Sequence, residues 1–247
     1  MYKLTAADFA DTGQWRLLLN ISTTGLDAFL ENVINPEIEL QALCSVKWEQ
    51  DKDRLLQNIE DAVYNNPRLL DDFSTRIVLF DSHTLFIPTE IAEKTSEAEN
   101  DLYKKVYTAE TRDIMTDTDS DITAVWSMAP GIKSFLMRTF PGALITSNLM
   151  NKVKTLRNNS KGIQLHAIAR KGEVDIILLD NNRLISASTH EWMSSDDIAF
   201  LLLNLLDIYD YNISVVNLFV EGASTESDAW KHIEGKIKGF TIINDPR

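Results

Sequence analysis

Residues 163–189 read IQLHAIARKGEVDIILLDNNRLISAST, three apolar segments in close succession. The segments 163–170, 173–180 and 183–189 each have the length and the composition of a strand. Lys171-Gly172 between the first two is ordinary chemistry for a hairpin tip. The sequence therefore predicts a meander of three strands at this point of the chain.

A helix and a second strand follow the meander. The helix is predicted over 195–209, because Ser194 can cap its first amides and Asp196 and Asp197 face its positive end. A strand over 214–220, a helix over 226–237 and a strand over 240–243 complete the order βββαβαβ. This alternation predicts a mixed sheet with helices on its faces.

The first half of the chain repeats this order. Strands are predicted over 14–23, 27–31 and 37–48, a helix over 51–65, a strand over 76–80, a helix over 97–107 and a strand over 122–127. A helix, a strand and a helix over 132–140, 143–146 and 148–157 connect the halves. We expect an α/β protein of two tandem domains, 1–147 and 148–247, with strands 14–23 and 163–170 central in their sheets.

Composition limits the function classes. The chain has 24 Lys and Arg against 37 Asp and Glu, a net charge of -13 that repels nucleic acid and anionic lipid. Its longest apolar run is too short to span a bilayer, and its N-terminus has no basic region followed by an apolar run. With Cys44 as the one cysteine, we expect a cytoplasmic protein without membrane insertion, whose protein partner the sequence does not identify.

Two tandem βββαβαβ units resemble the actin-like ATPase, or ribonuclease H-like, superfamily. Two segments strengthen the resemblance: EVDIILLDNNRLISASTHEWMSSDDIAFLLLNLL at 173–206 and LFIPTEI at 85–91. They are similar to an uncharacterised Bacteroides-type family with that fold and no established activity. The resemblance covers nearly the whole chain and implies the fold of a bacterial actin-like ATPase.

The resemblance also implies where nucleotide would bind. Actin-like ATPases place an Asp-x-Gly-Thr-Thr turn after the first strand, and here this chain has Asn20-Ile21-Ser22-Thr23-Thr24. Asn20 removes the charge that anchors a divalent cation, and Ser22 replaces a glycine. By this correspondence, the residues left for ATP are Asn20, Thr23, Thr24, Lys171, Gly172, Gly222 and Ser224.

Two functional classes follow from these departures. The second turn, 167–172, has no acid, and Glu221 replaces a glycine of the adenosine motif, so its carboxylate would oppose a nucleotide. The leading hypothesis is a non-catalytic interaction protein, or pseudo-ATPase, with no cofactor. The alternative is a nucleotide-binding switch or weak ATPase that uses the remaining hydroxyls, Lys171 and glycines.

Other patterns favour ordinary structure. Asp117, Asp119 and Asp121 have the spacing of a calcium loop, but the required glycine and glutamate are missing, which favours a solvated acidic loop. Cys44 lies in an apolar segment and is expected to be a buried structural thiol. The five tryptophans lie mostly within or beside apolar strands and helices, which favours core packing.

Overall fold

The computed structural model describes residues 11–51, 53–92, 96–107, 112–170, 172–222 and 233–243. The chain divides into two compact units. The described parts of Met1–Ser82, Lys94–Asp117 and Val125–Asn148 form the first, and those of His83–Glu93, Thr118–Ala124 and Leu149–Arg247 form the second. The sequence-based boundary between residues 147 and 148 stays a prediction.

The described residues form strands and helices in a fixed order. The strands are β1 (Trp15–Ser22), β2 (Gly25–Asn32), β3 (Gln41–Lys47), β4 (Thr75–Phe80), β5 (Thr84–Pro88), β6 (Asp113–Asp119), β7 (Ile122–Met128), β8 (Leu144–Ser147), β9 (Ile163–Ala169), β10 (Glu173–Asp180), β11 (Arg183–Glu191), β12 (Val216–Glu221) and β13 (Gly239–Ile243). The helices are α1 (Leu55–Tyr64), α2 (Thr89–Ala92), α3 (Ser96–Tyr107), α4 (Ile132–Thr139), α5 (Asn148–Arg157) and α6 (Ser195–Ile208).

The first unit is built on a five-stranded sheet in the order β3-β2-β1-β4-β8. Strand β1 is central, antiparallel to β2 and parallel to β4, as expected for residues 14–23. Its alternate residues Trp15, Leu17, Leu19 and Ile21 are buried in a core with α1 and α4. This alternation leaves Asn20 on the opposite face of the sheet.

The second unit has a sheet of the same design, in the order β11-β10-β9-β12-β13. Strand β9 is central, antiparallel to β10 and parallel to β12, so the prediction for residues 163–170 is also confirmed. One face packs on α6, and the other packs on α5. The near-continuous burial of β10 follows from this cover on both faces.

The first half contains an inserted sheet that the sequence reading missed. Residues 122–127 were predicted as the last strand of the first sheet, but β7 pairs instead in a three-stranded sheet ordered β5-β7-β6. Strand β8, predicted as part of the connection, takes the outer place beside β4. The strands β5 and β6 were not predicted, because β5 has only five residues and ends in a proline, and β6 reads DIMTDTD, which carries a weak strand signal.

The remaining predictions agree with the structure to within a few residues. Helix α6 begins with a capping box, in which Ser194 and Asp197 bind each other's backbone amides. Most of the predicted helix 226–237 lies outside the described residues. In the described part of the chain, no helix is long and apolar enough to cross a membrane.

Candidate functional site

The hairpin between β1 and β2 holds the first group of predicted site residues. Thr23 and Thr24 form its two-residue loop, since Ser22 pairs with Gly25. The Ser22 hydroxyl accepts a hydrogen bond from the Thr24 amide at 3.2 Å and donates one to the Gly25 carbonyl at 3.2 Å. A phosphate held at this turn would need a hydrogen bond from the Thr24 amide. The Ser22 hydroxyl already accepts that hydrogen bond, in the position of a phosphate oxygen.

Trp48, the first residue after β3, closes the same hairpin from the side. Its indole Nε1 donates to the Thr23 carbonyl at 3.0 Å, and its backbone amide donates to the Thr24 carbonyl at 3.0 Å. Both loop carbonyls are therefore bound within the first unit. The loop is held in one shape by three strands and one indole ring.

Asn20 lies on β1, three residues before the loop, directly across from Asp27 on β2. Lys47 pairs with Asp27 at 2.8 Å, and Ser45 donates a hydrogen bond to the same carboxylate. Asn20 Oδ1 is buried and has no hydrogen-bond partner among the residues that the structure describes. A carboxylate at position 20 would face that of Asp27, and like charges in this position repel, so the neutral amide fits its surroundings.

The hairpin between β9 and β10 has the same construction in the second unit. The Arg170 amide donates to the Glu173 carbonyl at 2.7 Å, and Gly172 takes a left-handed conformation with φ of +80°. Trp192, the first residue after β11, donates from Nε1 to the carbonyls of Arg170 and Glu173, each at 2.9 Å. Its amide donates to the Gly172 carbonyl at 3.1 Å.

A buried carboxylate accompanies this second clamp. Asp175 on β10 is fully buried and accepts hydrogen bonds from Arg170 at 2.9 Å and Thr189 at 2.7 Å. Asp175 follows the hairpin and Thr189 precedes the tryptophan by the same numbers of residues as Asp27 and Ser45 do in the first unit. Each unit thus has an aspartate, a hydroxyl, a cation and a tryptophan at its first hairpin.

Gly222 directly follows β12, beside the second hairpin. Its φ is +75°, and a Cβ added to it would lie 2.2 Å from the Ala169 carbonyl oxygen. Only glycine permits this approach of two backbones. Glu221 before it pairs with Lys152 of α5 at 3.9 Å, with both side chains about a quarter exposed.

The structure brings the predicted site residues together in two places. Asn20, Thr23 and Thr24 share the first hairpin, and Gly172 and Gly222 lie at one end of the second sheet. Lys171 and Ser224 lie outside the described residues. A role for these seven residues in binding a nucleotide stays a prediction.

The acidic segment at 117–121 is not the solvated loop that the sequence predicted. Asp117 and Asp119 belong to β6, and Asp117 accepts a hydrogen bond from Thr146. Asp121 at the next turn pairs with Arg157 of α5, and this hydrogen bond lowers its pKa. Across the described residues, no group of three or more His, Cys, Asp or Glu is placed to hold a metal ion.

Cys44 and His166 are two further side chains with chemistry of their own. Cys44 is partly exposed, not buried as predicted, and borders a cavity of about 210 Å³; burial and the charge of Asp27 raise its pKa, which disfavours the thiolate. Burial lowers the pKa of His166 to about 4, so its ring is neutral at pH 7. Neither pKa is shifted towards neutral pH, as acid-base or nucleophilic catalysis at pH 7 would require.

Sequence reasoning missed the two tryptophan clamps. It expected the tryptophans to pack in the core, and Trp48 and Trp192 do pack, partly buried, against the two cores, but it did not predict that both also bind hairpin carbonyls. A signal was present, because each tryptophan stands immediately after the third strand of its meander and three residues after a hydroxyl side chain. Aligning the two predicted meanders on these tryptophans would have found the repeat.

Comparisons with known proteins agree with this architecture. A family described as "Protein of unknown function (DUF3822)" matches residues 5–235. A solved structure from Bacteroides thetaiotaomicron, described as having an actin-like ATPase fold and unknown function, has a TM-score of 0.81 at 20% identity and covers 96% of this chain and 93% of its own.

A structure described as a PilM-PilN type IV pilus biogenesis complex has a TM-score of 0.52 at 10% identity, with 93% of this chain and 88% of that chain covered. No match was found among curated proteins. The chain therefore has an actin-like ATPase fold of two tandem domains, as its resemblance implied.

Proposed function

Because the chain belongs to DUF3822, a family of unknown function with an actin-like ATPase fold, we propose that it is a non-catalytic, cytoplasmic protein-interaction module on that fold. On this proposal the two domains are kept, while the chemistry that positions magnesium and phosphate is lost. Phosphoryl transfer depends on positioning and on neutralising developing charge. The loss of these groups would therefore abolish hydrolysis.

One observation carries the proposal: the Ser22 hydroxyl accepts the hydrogen bond of the Thr24 amide at 3.2 Å. In a phosphate-binding turn this amide must point at the ligand. Trp48 binds the neighbouring carbonyls of Thr23 and Thr24, so the loop has little freedom to turn its amides outward. A phosphate would have to break interactions that the folded hairpin already makes.

The charges at both predicted sites support the same reading. Asn20 supplies no negative charge for a divalent cation, which prefers carboxylate oxygens. Glu221 places a carboxylate next to Gly222, where a nucleotide would bring further negative charge. The chain as a whole carries a net charge of -13, which adds to the repulsion of an anion.

A comparison of folds supports a partner-binding role. The pilus biogenesis structure with a TM-score of 0.52 is described as a complex of two proteins, PilM and PilN. A fold of this kind is thus compatible with binding another protein. The identity of the partner does not follow from this likeness, because the two chains are 10% identical.

The alternative function is a nucleotide-binding switch or weak ATPase. The observation in its favour is the pair of left-handed glycines, Gly172 and Gly222, at one end of the second sheet. Glycines at strand ends permit close approach of a phosphate or a base. This alternative also uses Thr23 and Thr24.

The test is nucleotide binding and turnover by the full chain. We expect Mg-ATP and its non-hydrolysable analogue, at millimolar concentration, to leave the melting temperature unchanged, because a ligand that binds only the folded state raises it. We also expect no phosphate release above buffer. Stabilisation without release would support the nucleotide switch, and release that stops when magnesium is chelated would overturn the proposal.

Two matched variants test the role given to Ser22 in the first hairpin. Ser22→Gly removes the hydroxyl that binds the Thr24 amide, while Ser45→Gly removes a hydroxyl of the same meander that does not contact the loop. If the unmodified protein responds weakly to Mg-ATP, Ser22→Gly should respond more strongly and Ser45→Gly should not. An equal response of both variants would contradict the role given to Ser22.

A further inference from the structure

Strand β13 forms one edge of the second sheet. It pairs with β12 along its whole length, from Gly239 to Ile243. On its other side it has no strand partner in the described part of the chain. An edge strand presents a row of amide and carbonyl groups on its outer side, and these groups are a template for a further strand.

The other edge strands among the described residues carry features that discourage such pairing. Strand β3 has an irregular register against β2 and carries Lys47, and β11 has an irregular register against β10 and is charged at both ends. Strand β6 contains three aspartates, β5 ends in Pro88, and β8 has only four residues. Bulges, charges, prolines and short length are the usual protections of a sheet edge.

Strand β13 has none of the first three protections and is longer than β8. Its sequence, Gly-Phe-Thr-Ile-Ile, contains no charge and no proline, and its register against β12 is even. Thr241 is exposed, and Ile242 and Ile243 are each 38% exposed. These β-branched residues favour pairing with another strand. An uncharged apolar edge of this kind is one that proteins normally cover.

The charges around β13 are compatible with a second copy of the chain. Lys236 and Lys238 precede the strand, and Asp245 and Arg247 follow it in the sequence with charges that cancel. If two copies of β13 pair antiparallel, their lysines lie at opposite ends of the pair. Lys238 of one copy then lies about two strand spacings, or about 10 Å, from Glu221 of the other. Opposite charges are brought near each other and like charges stay apart.

An extended segment of another protein is the other occupant that an edge strand can take. Such segments are selected by pockets or charges beside the backbone groups. All five residues of β13 are uncharged, so the strand carries no charged group that would select a particular segment. Threonine across from threonine is a favourable pair, and two copies of β13 supply it themselves. The sequence of the edge therefore favours a second copy.

We propose that β13 is a self-association edge, at which the β13 strands of two copies pair antiparallel about a two-fold axis at Thr241. Thr241 then faces its counterpart, and Ile243 lies against Gly239 of the other copy. The two five-stranded sheets become one continuous sheet. Because the same surface is used on both copies, the pairing closes at a dimer and leaves no free β13 edge. The inference goes beyond the proposed function and does not depend on it.

The dimer is expected to be weak and to strengthen with salt. A pair of five-residue strands is smaller than the roughly 1,000 Å² that a stable interface buries. Each copy also carries a net charge of -13, so the two copies repel one another at long range. Salt screens this repulsion and leaves the backbone hydrogen bonds of the strands in place.

The experiment is analytical ultracentrifugation of the full chain from about 10 μM to about 1 mM. We expect a dimer fraction that rises with concentration and with added salt. Thr241→Lys should weaken the dimer at least about tenfold, because two lysines meet at the axis. Leu144→Lys is the matched control: it changes the net charge equally, and Leu144 is 54% exposed on the edge strand β8. It should dimerise as the unmodified protein does.

Cross-linking tests the same edge without a charged substitution. In a Cys44→Ser background, which has no other cysteine, Thr241→Cys should form a disulfide-linked dimer on mild oxidation. Residues that face each other in an antiparallel pair have Cβ atoms about 4.5–5.5 Å apart, close to disulfide geometry. Leu144→Cys in the same background should stay monomeric. Circular dichroism melting checks that every variant is folded.

Four outcomes would overturn the self-association edge. These are a chain that stays monomeric at about 1 mM in high salt, a dimer that Thr241→Lys leaves unchanged, a dimer that Leu144→Lys abolishes, and equal cross-linking at positions 241 and 144. A response to Mg-ATP bears on the proposed function alone, so the two failures are distinguishable.

Discussion

His166 lies on β9 with 5% of its surface exposed and stacks on Phe219 of β12, with ring centroids 4.6 Å apart. Its Nε2 lies 3.2 Å from the Gln164 amide oxygen. Burial disfavours the charged imidazolium and lowers the pKa from 6.5 to about 4. Lowering the pH from 6.5 to about 4 therefore destabilises the second unit through the buried His166 ring.

The sign and the size of the effect follow from linkage. Between pH 6.5 and about 4 the unfolded chain binds the proton and the folded chain does not, so stability falls as the pH falls. The loss is absent above pH 6.5 and reaches its full value below about pH 4. A shift of this size corresponds to about 3 kcal/mol in total, and to about 2 kcal/mol at pH 5.

The assay compares the unmodified protein with His166→Phe, which keeps a ring against Phe219 and cannot take a proton. Urea unfolding followed by circular dichroism gives the free energy of unfolding at pH 7.5 and pH 5. We expect the unmodified protein to lose about 2 kcal/mol more than the variant between these values. The half-buried His190, whose pKa is also lowered, is present in both proteins and cancels.

Proton NMR of the imidazole supplies an independent measurement. The His166 ring signal should not shift between pH 8 and pH 5, since its pKa is about 4. A ring that titrates near pH 6.5, or equal pH dependence of the two proteins, would refute the burial argument.

Two further predictions concern the hairpins. Trp192→Phe should cost about 1–2 kcal/mol of unfolding free energy, because two carbonyls lose one indole donor; Trp48→Phe, which frees one carbonyl, should cost about half as much in the same urea assay. Gly222→Ala should cost at least about 2 kcal/mol, since its Cβ would meet the Ala169 carbonyl at 2.2 Å, whereas Gly172→Ala adds only left-handed strain of about 1 kcal/mol. Equal costs within either pair would contradict these contacts.

The central strands of both main sheets were predicted correctly, because buried strands carry a strong apolar pattern. Strands β1 and β9 are the central strands, and their strong apolar patterns come from cover by layers of side chains. Strand β6, with the sequence DIMTDTD, lacks this pattern, because its partners leave it partly exposed. β6 is a strand because it pairs with β7, and the local periodicity of a sequence does not show such pairing.

The site was predicted less well than the fold, because its contacts join residues far apart in the chain. Trp48 reaches back to Thr23, and Trp192 reaches back to Arg170, across two strands in each case. A tryptophan beside an apolar strand fits a core as well as it fits a clamp. Only the placement of the indole NH separates the two roles.

The two hairpins share their clamp and differ at their tips, which bears on what the clamp does. Trp48 and Trp192 make the same kind of contacts, while the loops read Thr-Thr in one unit and Lys-Gly in the other. The cation that meets the aspartate also comes from different places, Lys47 on β3 and Arg170 after β9. These clamps bind carbonyls of the hairpins themselves, so they fix the shape of each meander whatever the tip presents.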